Sequence, residues 1–216
     1  MKTRLENREQ AGLMLSHKLK SYRRTDTVIL GIPHGGVLVA AVIASELEVP
    51  LQILPCRRIK HPADETRCLG CVCPDEVFTP DLTYGIPQSY ISHQVALHRA
   101  ALRSDHDFYN GDTQATALRG KTVILVDDIL KSGESVIACL RSIQKQKPLK
   151  VVLAIPVVSV EAAYVVGAMA ELVFLRMEPA IRSGKDHYVD FPDIDDNRVK
   201  QLFEESTSKL EVHASK

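Results

Sequence analysis

A chain of 216 residues with 45% hydrophobic and 25% charged side chains has the composition of an ordinary globular protein, with room for one domain and a substantial core. Its 27 basic and 27 acidic side chains cancel, so no global positive field draws it to nucleic acid or to a membrane surface, and any anion site has to be local. No apolar run reaches bilayer length, the charged opening of residues 1–8 does not read as a secretory signal, and an odd count of five cysteines points away from a disulfide framework and toward a reducing cytoplasm.

Short runs rich in Val, Ile and Leu alternate with helical patterns, which predicts an α/β fold: a single doubly wound, mainly parallel sheet flanked by helices. Residues 5–21 read as an amphipathic helix with Leu15 and Leu19 on one face and Leu5, Gly12 and Met14 near it. A strand follows at 27–32, a helix at 37–47 and a second strand at 51–57. The stretch 59–88 holds Pro62, Pro74, Pro80 and Pro87 and little periodicity, the signature of a functional or disordered loop. A helix over 89–108 and a turn at Asn110 and Gly111 lead to strand 121–127, helix 134–146, strand 150–156, helix 159–169 and strand 171–176. An irregular tail then carries a short helix near 195–205. No repeat or interdomain linker interrupts the chain, so residues 1–216 read as one domain.

The most informative segment runs from Val123 to Ser135. Four residues of buried type end in Asp127 and Asp128; Lys131, Ser132 and Gly133 then turn the chain into a helix beginning with Glu134 and Ser135. In open α/β sheets, ligands bind at the carboxyl ends of strands, where these residues fall. Loop amides and a helix N-terminus together suit a phosphate, Gly133 permits close backbone approach, and Ser132 and Ser135 add hydroxyl donors. Two carboxylates beside a phosphate would repel it unless something lies between them. A ribose fits there, its hydroxyls donating to Asp127 and Asp128 while its 5′-phosphate reaches the loop. A receiver-type domain would carry its paired acids near the chain start, and Gly120-Lys121-Thr122 imitates only the tail of a triphosphate-binding loop.

This segment resembles the signature of the type I phosphoribosyltransferases: four hydrophobic residues, two acids, a spacer, then Ser or Thr, Gly and small hydroxyl residues. Two positions depart from it. Glu134 stands where such loops usually hold Gly, and Lys131 where purine-specific members often carry an acidic or small residue. The resemblance extends to Asn7-Arg8-Glu9-Gln10-Ala11-Gly12, Pro33-His34-Gly35-Gly36-Val37, Arg57-Arg58-Ile59 and Tyr188-Val189-Asp190-Phe191, a pattern similar to a subgroup of that family whose acceptor is unassigned. It implies that His34, Gly35 and Gly36 form the pyrophosphate loop, with Arg57 or Arg58 supplying the cation that His34 replaces. It further implies that the loop of about 59–88 closes over substrate and that residues from about 176 to 216 form a C-terminal hood. The bland alternatives stay open: a two-glycine strand–helix turn at 34–36, a solvated basic strand end at 57–60, and ordinary packing for Tyr188 and Phe191.

The resemblance therefore implies an enzyme that transfers phosphoribosyl from 5-phosphoribosyl-1-pyrophosphate to an unidentified acceptor. Mg2+ would be the cofactor, Asp127 and Asp128 would hold the ribose, Lys131 to Ser135 the 5′-phosphate, and the protein would be a homodimer. The rival is a non-catalytic protein that binds a phosphoribosyl compound or nucleotide in the same pocket; a hydrolase using water as acceptor is a third reading. Cys68-x-x-Cys71-x-Cys73 with His61 upstream has the look of metal-ligand spacing, but three small apolar thiols explain it as well.

Overall fold

Along the central strands, neighbouring side chains point to opposite faces of the sheet, and each face meets its own helices. The computed structural model describes residues 4–80, 85–110 and 116–214. Six strands form one sheet in which every recorded pairing is parallel: β1 (Thr27–Gly31), β2 (Leu51–Ile53), β6 (Thr122–Val126), β7 (Ile129–Leu130), β8 (Lys150–Ser159) and β9 (Glu171–Glu178). The order is β2-β1-β6-β8, with both β7 and β9 pairing with β8. Ile29, Ile124, Val126, Val152 and Ala154 face one core, shared with α1 (Arg8–Lys18), α2 (Gly35–Leu47) and α6 (Asp196–Ala214). Val28, Leu30, Val123, Leu125, Leu153 and Ile155 face another, filled by α4 (Glu134–Lys145) and α5 (Val160–Gly167). With both faces covered, the strands need continuous apolar runs rather than alternating ones, and that is how they read.

The stretch expected as an irregular loop is largely ordered as a second sheet. Strands β3 (Arg57–His61), β4 (Asp64–Cys73) and β5 (Glu76–Phe78) form an antiparallel sheet in the order β3-β4-β5, against which α3 (Gln88–Asn110) packs through Ile91 and Leu102. The register shifts between Ile59 and Lys60 and again before His61. Those irregularities, with charged side chains on short strands, erase the period-two signal. The expected strand 51–57 is two strands in two sheets, divided at Leu54, Pro55 and Cys56. The turn expected at Asn110 and Gly111 falls partly outside the described residues: Asn110 closes α3 and Gly111 is not among them. Met14, placed near the apolar face of α1, points to solvent.

The segment after β9 returns to the chain's beginning. Leu5 forms a parallel bridge with Tyr188, supported by hydrogen bonds from the Leu5 amide to the His187 carbonyl (2.9 Å) and from the Val189 amide to the Leu5 carbonyl (2.8 Å). Asn7 caps α1 by accepting from the Gln10 amide at 2.8 Å, and Gln10 reaches back to the Glu6 amide at 2.9 Å. Both devices fix where α1 starts, and its first residue is Arg8. No helix among the described residues is long and apolar enough to cross a membrane.

Candidate functional site

The two acids close β6, and the chain around them brings distant segments together. Asp127 is buried, and its Oδ1 accepts from the Asp128 amide at 2.9 Å. Burial and the neighbouring Asp128 charge push the Asp127 carboxyl well above its usual range, while Arg58 pulls the other way. Asp128 is also buried, and its Oδ2 lies 2.7 Å from Arg8 Nε. The Arg8 guanidinium donates as well to the Pro192 carbonyl at 2.6 Å and stacks 3.7 Å from the centre of the Phe191 ring. Tyr188, fully buried, donates its hydroxyl to the Asp128 carbonyl at 2.8 Å and stacks on Phe191.

The glycine pair of the first turn packs directly on these acids. A side-chain carbon on Gly35 would lie 2.0 Å from Asp128 Oδ2 and 2.6 Å from Arg8 Nε; one on Gly36 would lie 2.9 Å from the Asp127 Cα. Only hydrogen fits, so the glycines are required by close approach of two strand ends, β1 and β6. His34 turns outward and meets Asp196 at 2.8 Å, where Tyr109 also donates at 2.5 Å. The Tyr109 hydroxyl, with His34, holds the Asp196 carboxyl below its usual range.

A cleft of about 310 Å³ opens along the loop that follows the acids. One wall is the 130–135 loop with Lys131, Ser132, Gly133, Glu134 and Ser135; the opposite wall includes Arg58, Cys68 and Leu69. Gly133 caps α4 with φ +91°, a conformation L side chains rarely adopt. Glu134 accepts a short hydrogen bond from the Ser132 hydroxyl, which places a carboxylate within the loop. Lys131 donates its ammonium to the Arg182 carbonyl at 2.6 Å, and its own carbonyl accepts from Ser159 Oγ at 2.5 Å. Ser159 also caps α5, so the loop is tied both to the β8–α5 junction and to the C-terminal segment.

Arg57 and Arg58, adjacent on a strand, point to opposite sides. Arg57 makes a two-pronged ion pair with Asp105 of α3 at 2.7 Å for each contact, while Arg58 faces the cleft. Of the two, Arg58 lies on the cleft with the loop, its charge acting on Asp127, and Arg57 serves the contact between the small sheet and α3. Of the residues considered for a metal, His61 and Cys68 each have a backbone partner. His61 Nδ1 accepts from the Ala63 amide, Cys68 donates to the Gly70 carbonyl, and Cys71 and Cys73 are buried under the cleft.

Three neighbours of the acids and their loop, Arg8, Ser159 and Tyr188, have no spacing signal that singles them out. Arg8 and Tyr188 stand only within the resembling segments, and nothing in the sequence marks Ser159.

A parallel sheet with paired acids at a strand end, a glycine turn against them and a serine–glycine loop opening a helix defines an α/β protein with its candidate site at the carboxyl end of the sheet. Comparison with known proteins makes it more specific. The profile of the phosphoribosyl transferase domain matches residues 83–171. TT1426 from Thermus thermophilus, a solved structure, is 31% identical, with a match that covers 94% of this chain and 99% of its own, and superimposes with a TM-score of 0.79. Two Mycobacterium tuberculosis proteins, named "Putative phosphoribosyl transferase Rv0571c" (strain H37Rv) and "Putative phosphoribosyl transferase MT0597" (strain CDC 1551), are each 27% identical over 157 residues. That match covers 70% of this chain but 35% of those proteins, so the chain corresponds to about a third of their length. The chain belongs to the type I phosphoribosyltransferase family.

Proposed function

We propose that the protein transfers a phosphoribosyl group from 5-phosphoribosyl-1-pyrophosphate to an unidentified acceptor and releases pyrophosphate. The observations that carry this reading are that the Gly35–Gly36 turn packs on Asp127 and Asp128 and that Arg58, whose charge acts on Asp127, shares a cleft with the 131–135 loop that follows them. The loop amides and the start of α4 would bind the 5′-phosphate, since helix N-termini favour anions. Asp127 and Asp128 would accept from the ribose hydroxyls, and Arg58 would face the departing pyrophosphate. Catalysis would come from positioning and from stabilising a cation-like sugar beside two carboxylates.

Two carboxylates, one already paired with Arg8, are too few donors for an ion held by protein alone. That donor set fits Mg2+ carried mainly on substrate oxygens and water, which Asp127 and Asp128 would help to hold. The ion would neutralise charge on the pyrophosphate. A cytoplasmic location and a homodimer remain expectations attached to this reading, as does the absence of nucleic-acid and membrane partners.

One observation favours the non-catalytic rival: Glu134 puts a negative charge in the loop that should cradle phosphate. Calorimetric titration with 5-phosphoribosyl-1-pyrophosphate and Mg2+, beside an Asp127→Asn/Asp128→Asn variant, tests the pocket. Micromolar binding lost in the variant supports it, and pyrophosphate release on adding candidate acceptors then separates enzyme from sensor. Failure of a folded wild type to bind would remove the transferase reading.

A further inference from the structure

Four of the five cysteines meet at one place beneath the cleft wall. Cys71 and Cys73 sit two residues apart on β4 and therefore share a face; Cys139 comes from the facing side of α4, and Cys56 from the segment between β2 and β3. Cys73 Sγ lies 3.5 Å from Cys139 Sγ, and Cys56 packs against the apolar cluster that holds Cys71, Cys73 and Cys139. Three of these residues are fully buried, whereas Cys56 is half-buried. Cys68 stands apart, its thiol donated to the Gly70 carbonyl.

We propose that this cluster is an oxidisable dithiol site, in which Cys56 reacts with a hydroperoxide and the oxidation is passed inward as a disulfide to Cys139 and Cys73. The chemistry needs one thiolate with access to oxidant and a second sulfur in contact with it. Cys56 is the member with access. The neighbouring thiols, Cys139 foremost, and the charge of Arg58 lower its pKa against the opposing effect of burial, while neighbouring thiols and then burial raise those of Cys71, Cys73 and Cys139. Cys56 is therefore the member of the cluster that ionises first.

The Cys56 thiolate attacks the peroxide O–O bond, giving a sulfenic acid and a hydroxide ion. Cys139 then attacks the sulfenic sulfur; its proton and the leaving hydroxide form water, and a Cys56–Cys139 disulfide results. Cys73, already touching Cys139, displaces Cys56 from it and leaves a Cys73–Cys139 disulfide with Cys56 reduced again. In the balance, two thiols lose two electrons and two protons, and hydrogen peroxide becomes two waters. The bond would join β4 to α4, the helix that opens at the 131–135 loop.

The test treats the full-length reduced protein with hydrogen peroxide, alkylates remaining thiols under denaturing conditions and maps peptides by mass spectrometry. The expected result is loss of two hydrogens, with Cys139 joined to Cys73 or to Cys56 and with Cys68 alkylated. Cys56→Ser should slow the reaction about tenfold or more by removing the accessible thiolate, while Cys68→Ser should leave its rate unchanged. Oxidation only at Cys68, a disulfide involving Cys68, or equal rates in Cys56→Ser and wild type would overturn the proposal. So would a stoichiometric soft metal that protects the cluster from alkylation in the protein as isolated. These readouts do not depend on any phosphoribosyl ligand, so the proposal stands or falls separately from the proposed function.

Discussion

Arg8, the first residue of the first helix, holds Asp128, the last acid of a strand end 120 positions later, with Nε 2.7 Å from Oδ2. The pair is shielded, at 6% and 12% side-chain exposure, so solvent does little to screen it. Arg8 also rests on Phe191 and donates to the Pro192 carbonyl. One side chain thus fastens the site's acid to the C-terminal segment.

Arg8→Ala should therefore destabilise the protein by about 3–5 kcal/mol, the usual cost of leaving a buried charge without its partner. Arg8→Lys should recover only part of that, since an ammonium cannot lie flat on Phe191 while donating in two fixed directions. Chemical denaturation of the two variants beside wild type measures both. Equal stability for Arg8→Ala and wild type would mean the pair is not formed in solution.

Asp127 leads to the opposite expectation for stability. Its carboxyl is pushed up by burial and by Asp128, so the folded state holds this proton more tightly than the unfolded chain does. Stability then falls as pH rises from the unfolded carboxyl pKa, roughly 4, through the raised folded value. Asp127→Asn should melt higher than wild type at neutral pH, and the gain should vanish near pH ~3, below the unfolded carboxyl pKa. The same variant should lose binding of the phosphoribosyl ligand. Melting curves across pH decide the first point, and a gain that grows toward acid would refute it.

The glycines separate into those that need hydrogen and those that do not. A methyl group on Gly35 would meet Asp128 Oδ2 at 2.0 Å, and displacing that carboxylate also strains the Arg8 contact. Gly35→Ala should cost at least about 1–3 kcal/mol, as overpacking does, and should abolish ligand binding. Gly167, at the end of α5, has open space around it. Gly167→Ala should stabilise by about 0.5–1 kcal/mol through helix propensity, with binding unchanged. Paired calorimetric melts and ligand titrations check both variants.

Arg57 and Arg58 should differ in kind. Arg58→Ala should weaken binding of 5-phosphoribosyl-1-pyrophosphate about tenfold or more by removing a charge-assisted contact worth about 1.5–3 kcal/mol, with little change in melting. Arg57→Ala should leave affinity near wild type while loosening the contact with Asp105 and α3. A titration in which Arg57→Ala is the weaker binder would reverse the assignment.

How much of this was legible in the sequence depends on distance along the chain. The apolar runs read as strands at 27–32, 121–127 and 150–156 announced a parallel sheet covered on both faces, because a strand buried on both sides has few polar positions to alternate. Asp127 and Asp128 followed by Ser132 and Gly133 announced a strand–loop–helix with an acidic strand end, because all its parts lie within one contiguous segment. The small sheet at 57–78 did not announce itself. Its strands are mostly short, its register slips beside Ile59, and the apolar partners that hold it, such as Ile91 and Leu102, lie on another element.

Local periodicity and a contiguous motif thus determined the α/β class and the acidic strand end, since both rest on neighbouring residues sharing one element's geometry. The tertiary structure alone decided that Arg8 meets Asp128, that Arg58 rather than Arg57 faces the cleft, and that Cys56, Cys73 and Cys139 lie together. Those pairings arise from packing between elements tens of residues apart. Burial selects such partners by complementary charge and shape in space, and spacing along the chain carries no trace of that selection.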